Sequence, residues 1–148
     1  MSTDAARVLD LDPRQAARVL AQAKDEAWLE ELQASLDRQL ARSDLDRVLA
    51  VWHLSQSEAA RRFGVTRQAV GKWLAAGVPA SRVEEVADLA AATDLLVRHL
   101  KRNRIPAVVR RPAERLGGRS LFDLVAAGQH REVLRACREM FAFGDLHA

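Results

Sequence analysis

A set of polar side chains suited to reading nucleic acid lies near the middle of the chain. Arg67, Gln68 and Lys72 fall on one side of a short segment in which Val70 and Trp73 fall on the other, as in an amphipathic helix. Arginine can hydrogen-bond a guanine edge twice, glutamine an adenine edge, and lysine pairs with phosphate. A short helix with such a face fits the major groove of DNA.

Local signals place this helix after another helix and a tight turn. Ser55 and Glu58 have the spacing of a capping box, so a first helix begins at Gln56. Gly64 adopts positive φ at low cost and ends that helix. Thr66 caps the next helix. The pattern predicts a helix-turn-helix, and it favours this over the alternative of a helical hairpin with a solvated basic face.

The segment from Gln56 to Leu74 resembles the helix-turn-helix of Cro- and Xre-type repressors, and residues 75–86 resemble the segment after the recognition helix in that family. The resemblance implies that Gln56 contacts phosphate, a role on which the residue pattern alone is neutral. Gly71 costs a helix up to about 1 kcal/mol relative to alanine, which indicates a position where bulk would be harmful. The predicted DNA-binding residues are Gln56, Thr66, Arg67, Gln68, Gly71 and Lys72.

Composition favours a mostly helical protein of the cytoplasm. Of the 148 residues, 49% are apolar and none is tyrosine. No apolar run approaches the roughly 20 residues that cross a bilayer, and the N-terminus lacks the features of a signal peptide. The single cysteine, Cys137, excludes an internal disulfide and fits a reducing compartment. It shares a predicted apolar helix face with Val133, Leu134, Met140 and Phe141, as a core thiol would.

Residues that would support catalysis are scattered. His53, His99, His130 and His147 have no metal-ligand spacing to one another or to Cys137. Hydrolase, phosphate-loop and metalloprotease motifs do not occur in the sequence. We therefore expect no enzymatic activity and no cofactor.

Charge is concentrated in two blocks. Residues 45–82 carry six basic and two acidic side chains, and residues 101–119 carry seven basic and one acidic, whereas residues 1–44 are acidic on balance. Such blocks are expected where phosphate contacts are confined to particular surfaces. For the second block, DNA contact, an acidic protein partner and a solvated loop all stay open.

The pattern predicts an all-α fold, a helical bundle in three parts: an N-terminal helical extension over 1–44, a DNA-binding unit over 45–103 and a small helical unit over 104–148. In the first part, Asp12 and Pro13 start a helix that continues to about Ala41. Its apolar residues at three-to-four spacing suit packing on its own domain or on a second copy; a homodimer is favoured because operator-reading proteins of this kind usually present two recognition helices. These residues are Ala17, Leu20, Ala27, Leu29, Leu32, Leu36 and Leu40.

In the second part, Leu45 to Trp52 predict one helix and Pro79 opens another. All three tryptophans and Phe63 are expected in the core rather than in a base-stacking platform.

The third part begins near Pro106, because the residue before proline avoids helix. Ser120 and Asp123 form a second capping motif, Gly128 ends that helix, and a last helix covers Arg131 to Phe141. The Gly-Gly-Arg-Ser sequence before the cap is better explained as a structural turn than as an anion site.

The segment Leu116-Gly-Gly-Arg-Ser120, with Gly128 and Glu132-Val-Leu134, resembles the C-terminal toxin-binding domain of Xre/MbcA/ParS-type antitoxins. With the helix-turn-helix, the resemblance covers roughly residues 45–142. It implies a RES-type toxin partner that acts on NAD, whose active site the C-terminal region covers. The implied toxin-facing residues are Arg110, Arg111, Arg119 and the tail after Phe141.

Two departures from that family matter. Leu121 stands where the family often has proline, and the acidic extension before Leu45 is longer than the family minimum. The predicted function is a sequence-specific repressor that autoregulates its operon and neutralises a toxin. The alternatives are a free-standing or phage-type repressor, and an interaction module that inhibits a partner enzyme without specific DNA binding.

Overall fold

The structure of this chain is a computed structural model that describes residues 5–22 and 26–142. Within those ranges the chain is all-α, as predicted. Its helices are α1 (Pro13–Gln22), α2 (Glu26–Trp52), α3 (Gln56–Phe63), α4 (Arg67–Ala76), α5 (Ala80–His99), α6 (Ile105–Arg110), α7 (Leu121–Ala126) and α8 (His130–Ala142). Short 3-10 turns cover Ala5–Asp10, Arg102–Arg104 and Glu114–Leu116. None of the described helices is long and apolar enough to cross a membrane.

Helix α1 begins where the sequence predicts. The Asp12 side chain accepts hydrogen bonds from the backbone N–H groups of Arg14 and Gln15, each at 2.9 Å, and Pro13 is the first helical residue. The predicted helix from here to about Ala41 corresponds to α1 and the first part of α2, with residues 23–25 outside the described ranges.

Helix α2 runs without interruption for 27 residues and crosses the predicted division at residue 44. The segment from Leu45 to Trp52 is therefore its last part and not a separate helix. Those last turns bury Leu45, Val48 and Trp52 in the main core. The division into three units stays a prediction, but the boundary predicted between residues 44 and 45 falls inside the continuous helix α2.

The apolar residues of the N-terminal part divide between a small cluster and the surface. Val8 and Leu32 are buried, with Val19 and Trp28 packed against them. The other apolar residues at three-to-four spacing are exposed and therefore lie outside the core of this copy; packing within one domain was one of the two alternatives that the spacing left open. The exposed side chains include Ala17, Leu20, Ala27, Leu29, Leu36 and Leu40.

Trp52 joins three helices in the main core. Its Nε1 donates a hydrogen bond to Oγ1 of Thr93 on α5 at 2.9 Å, and the Thr93 hydroxyl donates to the Leu89 carbonyl at 2.7 Å. The indole ring meets Phe122 of α7 edge to face, with the ring centroids 5.8 Å apart. The indole N–H is thus satisfied inside the core, and Trp52 is a core residue, as predicted.

Helix α8 packs against α5 through an apolar face and polar edges. His130 Nδ1 lies 2.7 Å from Oδ2 of Asp88. Cys137 is fully buried, as predicted, and burial raises the pKa of its thiol to about 12. Because the neutral form persists at physiological pH, the thiol is a poor nucleophile. Met140, on the same helix face, is 40% exposed and lies outside the core.

The start of the C-terminal unit differs from the expectation at Pro106. Ile105 has helical φ and ψ of −58° and −46°, and Pro106 is the second residue of α6. The proline ring clashes with the residue before it and so disfavours a helical conformation at that residue. Ile105 is fully buried, so we attribute the exception to its packing.

The glycine-rich segment before α7 is a turn, as predicted. Gly117 and Gly118 have φ of 67° and 80°, and the backbone N–H of Ala113 donates to the Arg119 carbonyl at 3.0 Å across it. Ser120 and Asp123 then form the predicted capping box at the start of α7. These hydrogen bonds lower the pKa of the Asp123 carboxyl.

Arg110 fastens the C-terminal unit to the end of α2. Its guanidinium donates to the Trp52 carbonyl at 3.0 Å and to the His53 carbonyl at 3.1 Å, and also bonds Pro106 of its own helix at 2.8 Å. The same group lies 4.6 Å from the centroid of the Phe122 ring. The last carbonyl groups of a helix have no partner within it, so a cation here supplies both hydrogen bonds and favourable charge.

We expect Arg110→Ala to lower the free energy of unfolding by about 1–3 kcal/mol, because it removes charged hydrogen bonds to carbonyl groups at the end of α2. Urea denaturation measures the effect. The neighbouring Arg111 is exposed and its side chain has no hydrogen bond or ion pair in the described chain, so Arg111→Ala is the matched control, expected within about 0.5 kcal/mol of wild type. Equal losses would contradict the anchoring role.

Candidate nucleic-acid interface

Helices α3 and α4 form a compact pair around a tight turn. Ser55 accepts a hydrogen bond from the backbone of Glu58 and Glu58 accepts one from the backbone of Ser55, which completes the predicted capping box. Gly64 ends α3 in the left-handed conformation with φ of 66°. The N–H of Val65 bonds the Ala60 carbonyl at 2.9 Å. Both ends of α3 are therefore fixed by its own sequence.

Thr66 starts α4 as the sequence predicts. Its Oγ1 accepts a hydrogen bond from the backbone N–H of Ala69 at 3.1 Å. A hydroxyl that accepts this bond still has its hydrogen to donate. Thr66 is exposed, so that hydrogen is available to an acceptor such as a phosphate oxygen.

The two sides of α4 differ sharply in burial. Val70 is fully buried and Trp73 is 7% exposed, with its ring edge to face with Phe63 at 5.9 Å. On the opposite side, Arg67, Gln68 and Lys72 are exposed, and their side chains make no hydrogen bond or ion pair within the described residues. The structure thus brings three of the predicted DNA-binding side chains onto one open, positively charged surface.

Gln56 and Gly71 meet at the edge of this surface. A Cβ atom built on Gly71 would stand 3.6 Å from Oε1 of Gln56, an ordinary van der Waals distance. Gln56 is exposed at the start of α3, and Gly71 is partly exposed. All six predicted DNA-binding residues therefore lie on α3, on α4 or in the turn between them.

Helix α2 supports the far end of α4. Arg42 Nη1 lies 3.4 Å from the Ala75 carbonyl, and the N–H of Val78 bonds the Arg38 carbonyl at 3.4 Å. Gly77 adopts φ of 118°, and a Cβ on it would stand 3.4 Å from Cβ of Arg38. Sequence reasoning missed this support, because nothing in the spacing of Arg38 and Arg42 indicates a contact more than thirty residues away.

The three predicted partner-facing arginines have different surroundings. Arg110 is committed to the end of α2, where it bonds the Trp52 and His53 carbonyls. Arg119 folds over its own turn, with Nε bonded to the Leu116 carbonyl at 3.2 Å and Nη1 to the Gln129 side chain at 3.1 Å. Arg111 is exposed without such contacts. Of the predicted partner-facing tail after Phe141, residues 143–148, which include His147, lie outside the described residues.

Residues of α3, α6 and α7 line a polar groove of about 210 Å³. The Arg62 guanidinium lies over the Phe122 ring, 4.8 Å from its centroid, and the Arg110 guanidinium lies 4.6 Å from the same centroid. Arg61, Glu58 and Asp123 also line the groove, so it mixes both signs of charge. Sequence reasoning did not single out Arg62; its place in a basic block was the only signal.

Among the described residues, no group of three or more histidine, cysteine, aspartate or glutamate side chains is arranged to hold a metal ion. His99 instead stacks on Phe141, with the ring centroids 4.3 Å apart.

The fold is similar to that of a solved toxin–antitoxin assembly. The structure matches one chain of the M. tuberculosis MbcT–MbcA toxin–antitoxin complex with a TM-score of 0.55 and 24% sequence identity, over 67% of this chain and 91% of that chain. No family model matches the sequence, and no curated protein matches it either. At this identity the likeness establishes a shared fold, and at that level the predicted resemblance is confirmed.

We expect Gly71→Ala to separate stability from DNA affinity. Alanine has room there and removes the helix penalty of glycine, so the free energy of unfolding should rise by up to about 1 kcal/mol. The added methyl group stands on the outer face beside Gln56, so DNA affinity should fall. Thermal unfolding and a fluorescence-anisotropy titration test the two effects. A variant that gains stability and binds DNA as tightly as wild type would contradict close approach at Gly71.

Proposed function

We propose that this chain is a sequence-specific DNA-binding repressor that also serves as the antitoxin of a toxin–antitoxin pair. The observation that carries the DNA-binding part is the two-sided burial of α4: Val70 and Trp73 hold it to the core while Arg67, Gln68 and Lys72 stand open. This arrangement supports the interpretation of α3 and α4 as a helix-turn-helix with α4 as recognition helix.

The proposed recognition divides affinity from sequence choice. Lys72 and the amide of Gln56 would contact phosphate groups on either side of the groove, which positions the helix without selecting a sequence. Arg67 and Gln68, in the first turn of α4, would reach base edges, since the N-terminal residues of a recognition helix contact the bases. The hydrogen bonds of the caps at Thr66 and Gly77 hold both ends of α4 in helical conformation.

The antitoxin part rests on the fold likeness to the toxin–antitoxin complex and on the sequence resemblance of the C-terminal unit. In this proposal α6–α8 face a RES-type toxin, and the same chain represses the operon that encodes both proteins. Arg111 is the best placed of the three predicted arginines for a new ion pair, because Arg110 and Arg119 already bond carbonyl or amide oxygens. The proposal assigns the chain binding roles and no catalysis.

Two other functions would use parts of the same surface. A free-standing or phage-type repressor would keep the DNA-binding face and lack a toxin partner. A module that inhibits a partner enzyme without specific DNA binding would need only the C-terminal unit. The open, unpaired side chains on α4 favour the first of these over the second.

The DNA-binding proposal is tested with Arg67→Ala and Lys72→Ala on a duplex recovered by selection from a random-sequence pool. Arg67→Ala should cost about 1–3 kcal/mol and relax the preference at one base pair. Lys72→Ala should weaken all sequences alike and reduce the salt slope by about one. Glu114→Ala, an exposed change away from α4, is the control. Equal and weak binding of selected and random duplexes by wild type would leave only the interaction module.

The antitoxin proposal is tested by co-expression with the product of the adjacent gene. Wild type should restore growth and the cellular NAD level, whereas Arg111→Glu should restore both less well and still bind DNA. Arg67→Ala should neutralise the partner fully, because its site is separate. A neighbouring product that neither arrests growth nor co-purifies with this chain would favour the free-standing repressor.

A further inference from the structure

The surface of α2 opposite the recognition helix carries a row of exposed leucines. Leu29, Leu36 and Leu40 are spaced by seven and four residues, so they fall within about 40° of one line along the helix. They are 46%, 46% and 64% exposed. The described chain has six large exposed hydrophobic side chains in all, and four of them, these three and Leu20, belong to α1 and α2. That concentration is unusual for a surface that only meets water.

Charges beside the row are unpaired and of one sign. Glu30 and Asp37 are seven residues apart on α2, on the same side of the leucines, and both are exposed. Helix α1 carries the opposite sign, with Arg14 and Arg18 one turn apart and exposed. Within the described chain, none of these four side chains makes an ion pair or hydrogen bond. The complementary charges are therefore present but do not meet in one copy.

Helix α1 has one face that packs within this copy and one face that is exposed. Ala16 and Val19 pack inward on the small N-terminal cluster. Ala17 and Leu20 point outward on the side that also carries Arg14 and Arg18. Helix α1 thus offers an apolar and basic face, and α2 offers an apolar and acidic one.

We propose that a second copy of this chain covers these faces, with α1 of each copy lying along the leucine row of α2 of the other. A twofold axis makes the contact reciprocal, so both basic faces and both acidic rows are used at once. The inference rests on the proposed DNA-binding function for its purpose, because one recognition helix reads only half of a palindromic site. The proposed contact between the two copies is argued from exposed leucines and unpaired charges, and these do not depend on DNA binding.

The position of the row links the dimer to the recognition helix. Arg38, which lies on the opposite side of α2 from the leucines, contacts Gly77 and bonds Val78 at the end of α4. One face of α2 would therefore join the two copies while the other face holds α4. The dimer contact would then fix the distance between the two recognition helices.

The first test is the molar mass of the full chain in solution, measured by light scattering after size exclusion. Wild type should have twice the 16.4 kDa mass of one chain. The double variant Leu36→Glu, Leu40→Glu should have the mass of one chain with an unchanged helical circular-dichroism spectrum, since both side chains are already exposed. Val97→Glu and Met140→Glu, at 43% and 40% exposure elsewhere, are matched controls that should stay dimeric. A monomeric wild type, or a dimer that only the controls disrupt, would overturn the proposal.

The second test reverses the charges. Arg14→Glu with Arg18→Glu, or Glu30→Arg with Asp37→Arg, should each raise the dimer dissociation constant roughly tenfold, since several exposed ion pairs become repulsive. Combining all four reversals should restore it. Failure of the combined variant to recover would contradict the pairing of α1 with α2.

DNA binding distinguishes this inference from the proposed function. The Leu36→Glu, Leu40→Glu monomer should bind a selected half-site like wild type and lose the cooperative gain on a palindrome. Arg67→Ala should stay dimeric and, on both duplexes, bind more weakly with a relaxed preference at one base pair. If wild type is a dimer but prefers no DNA sequence, the proposed DNA-binding function fails and the dimer proposal stands. If the Leu36→Glu, Leu40→Glu monomer still binds palindromes cooperatively, the dimer proposal fails and the DNA-binding function stands.

Discussion

The C-terminal end of α2 is where the parts of this fold meet. Trp52 reaches α5 through its indole N–H and α7 through its ring, while its carbonyl and that of His53 accept hydrogen bonds from Arg110 of α6. His53 has φ of 54°, in the left-handed region that side chains rarely adopt. The Arg110 guanidinium, bonded to the carbonyl groups of Trp52 and His53, holds the backbone at this left-handed residue. Since α3 begins three residues later, the proposed DNA-reading helices inherit their orientation from this junction.

Local motifs were predictable because their physical causes are local. The capping boxes at Ser55 and Ser120, the cap at Thr66 and the left-handed Gly64 are each decided by a few neighbouring residues, and the structure has them where the sequence places them. The exposed side of α4 followed from helical period once its start was known. The DNA-contacting roles of those residues stay predictions.

Features that depend on distant contacts were not predictable in the same way. The continuity of α2 past residue 44, the helical Ile105 before proline and the use of Arg110 as an internal anchor all depend on the elements that pack against them. Arg110 and Arg111 are indistinguishable in sequence, yet only the first faces the end of α2. The leucines of α2 have the spacing of a buried face, but Leu36 and Leu40 lie on the surface. Periodicity identifies an apolar face and leaves open which surface covers it.

The unbroken course of α2 also bears on how this protein can change over evolutionary time. A helix of 27 residues is about 40 Å long, and each added or lost residue turns everything beyond it by about 100°. Point replacements along its open side leave the ends in phase. A single-codon insertion between Leu40 and Leu45 would rotate the row formed by Leu29, Leu36 and Leu40 by about 100° relative to the part of α2 that is buried in the main core. Length variation among descendants of this gene should therefore accumulate outside this rod, in the connections that can absorb an extra residue without rotating the next helix.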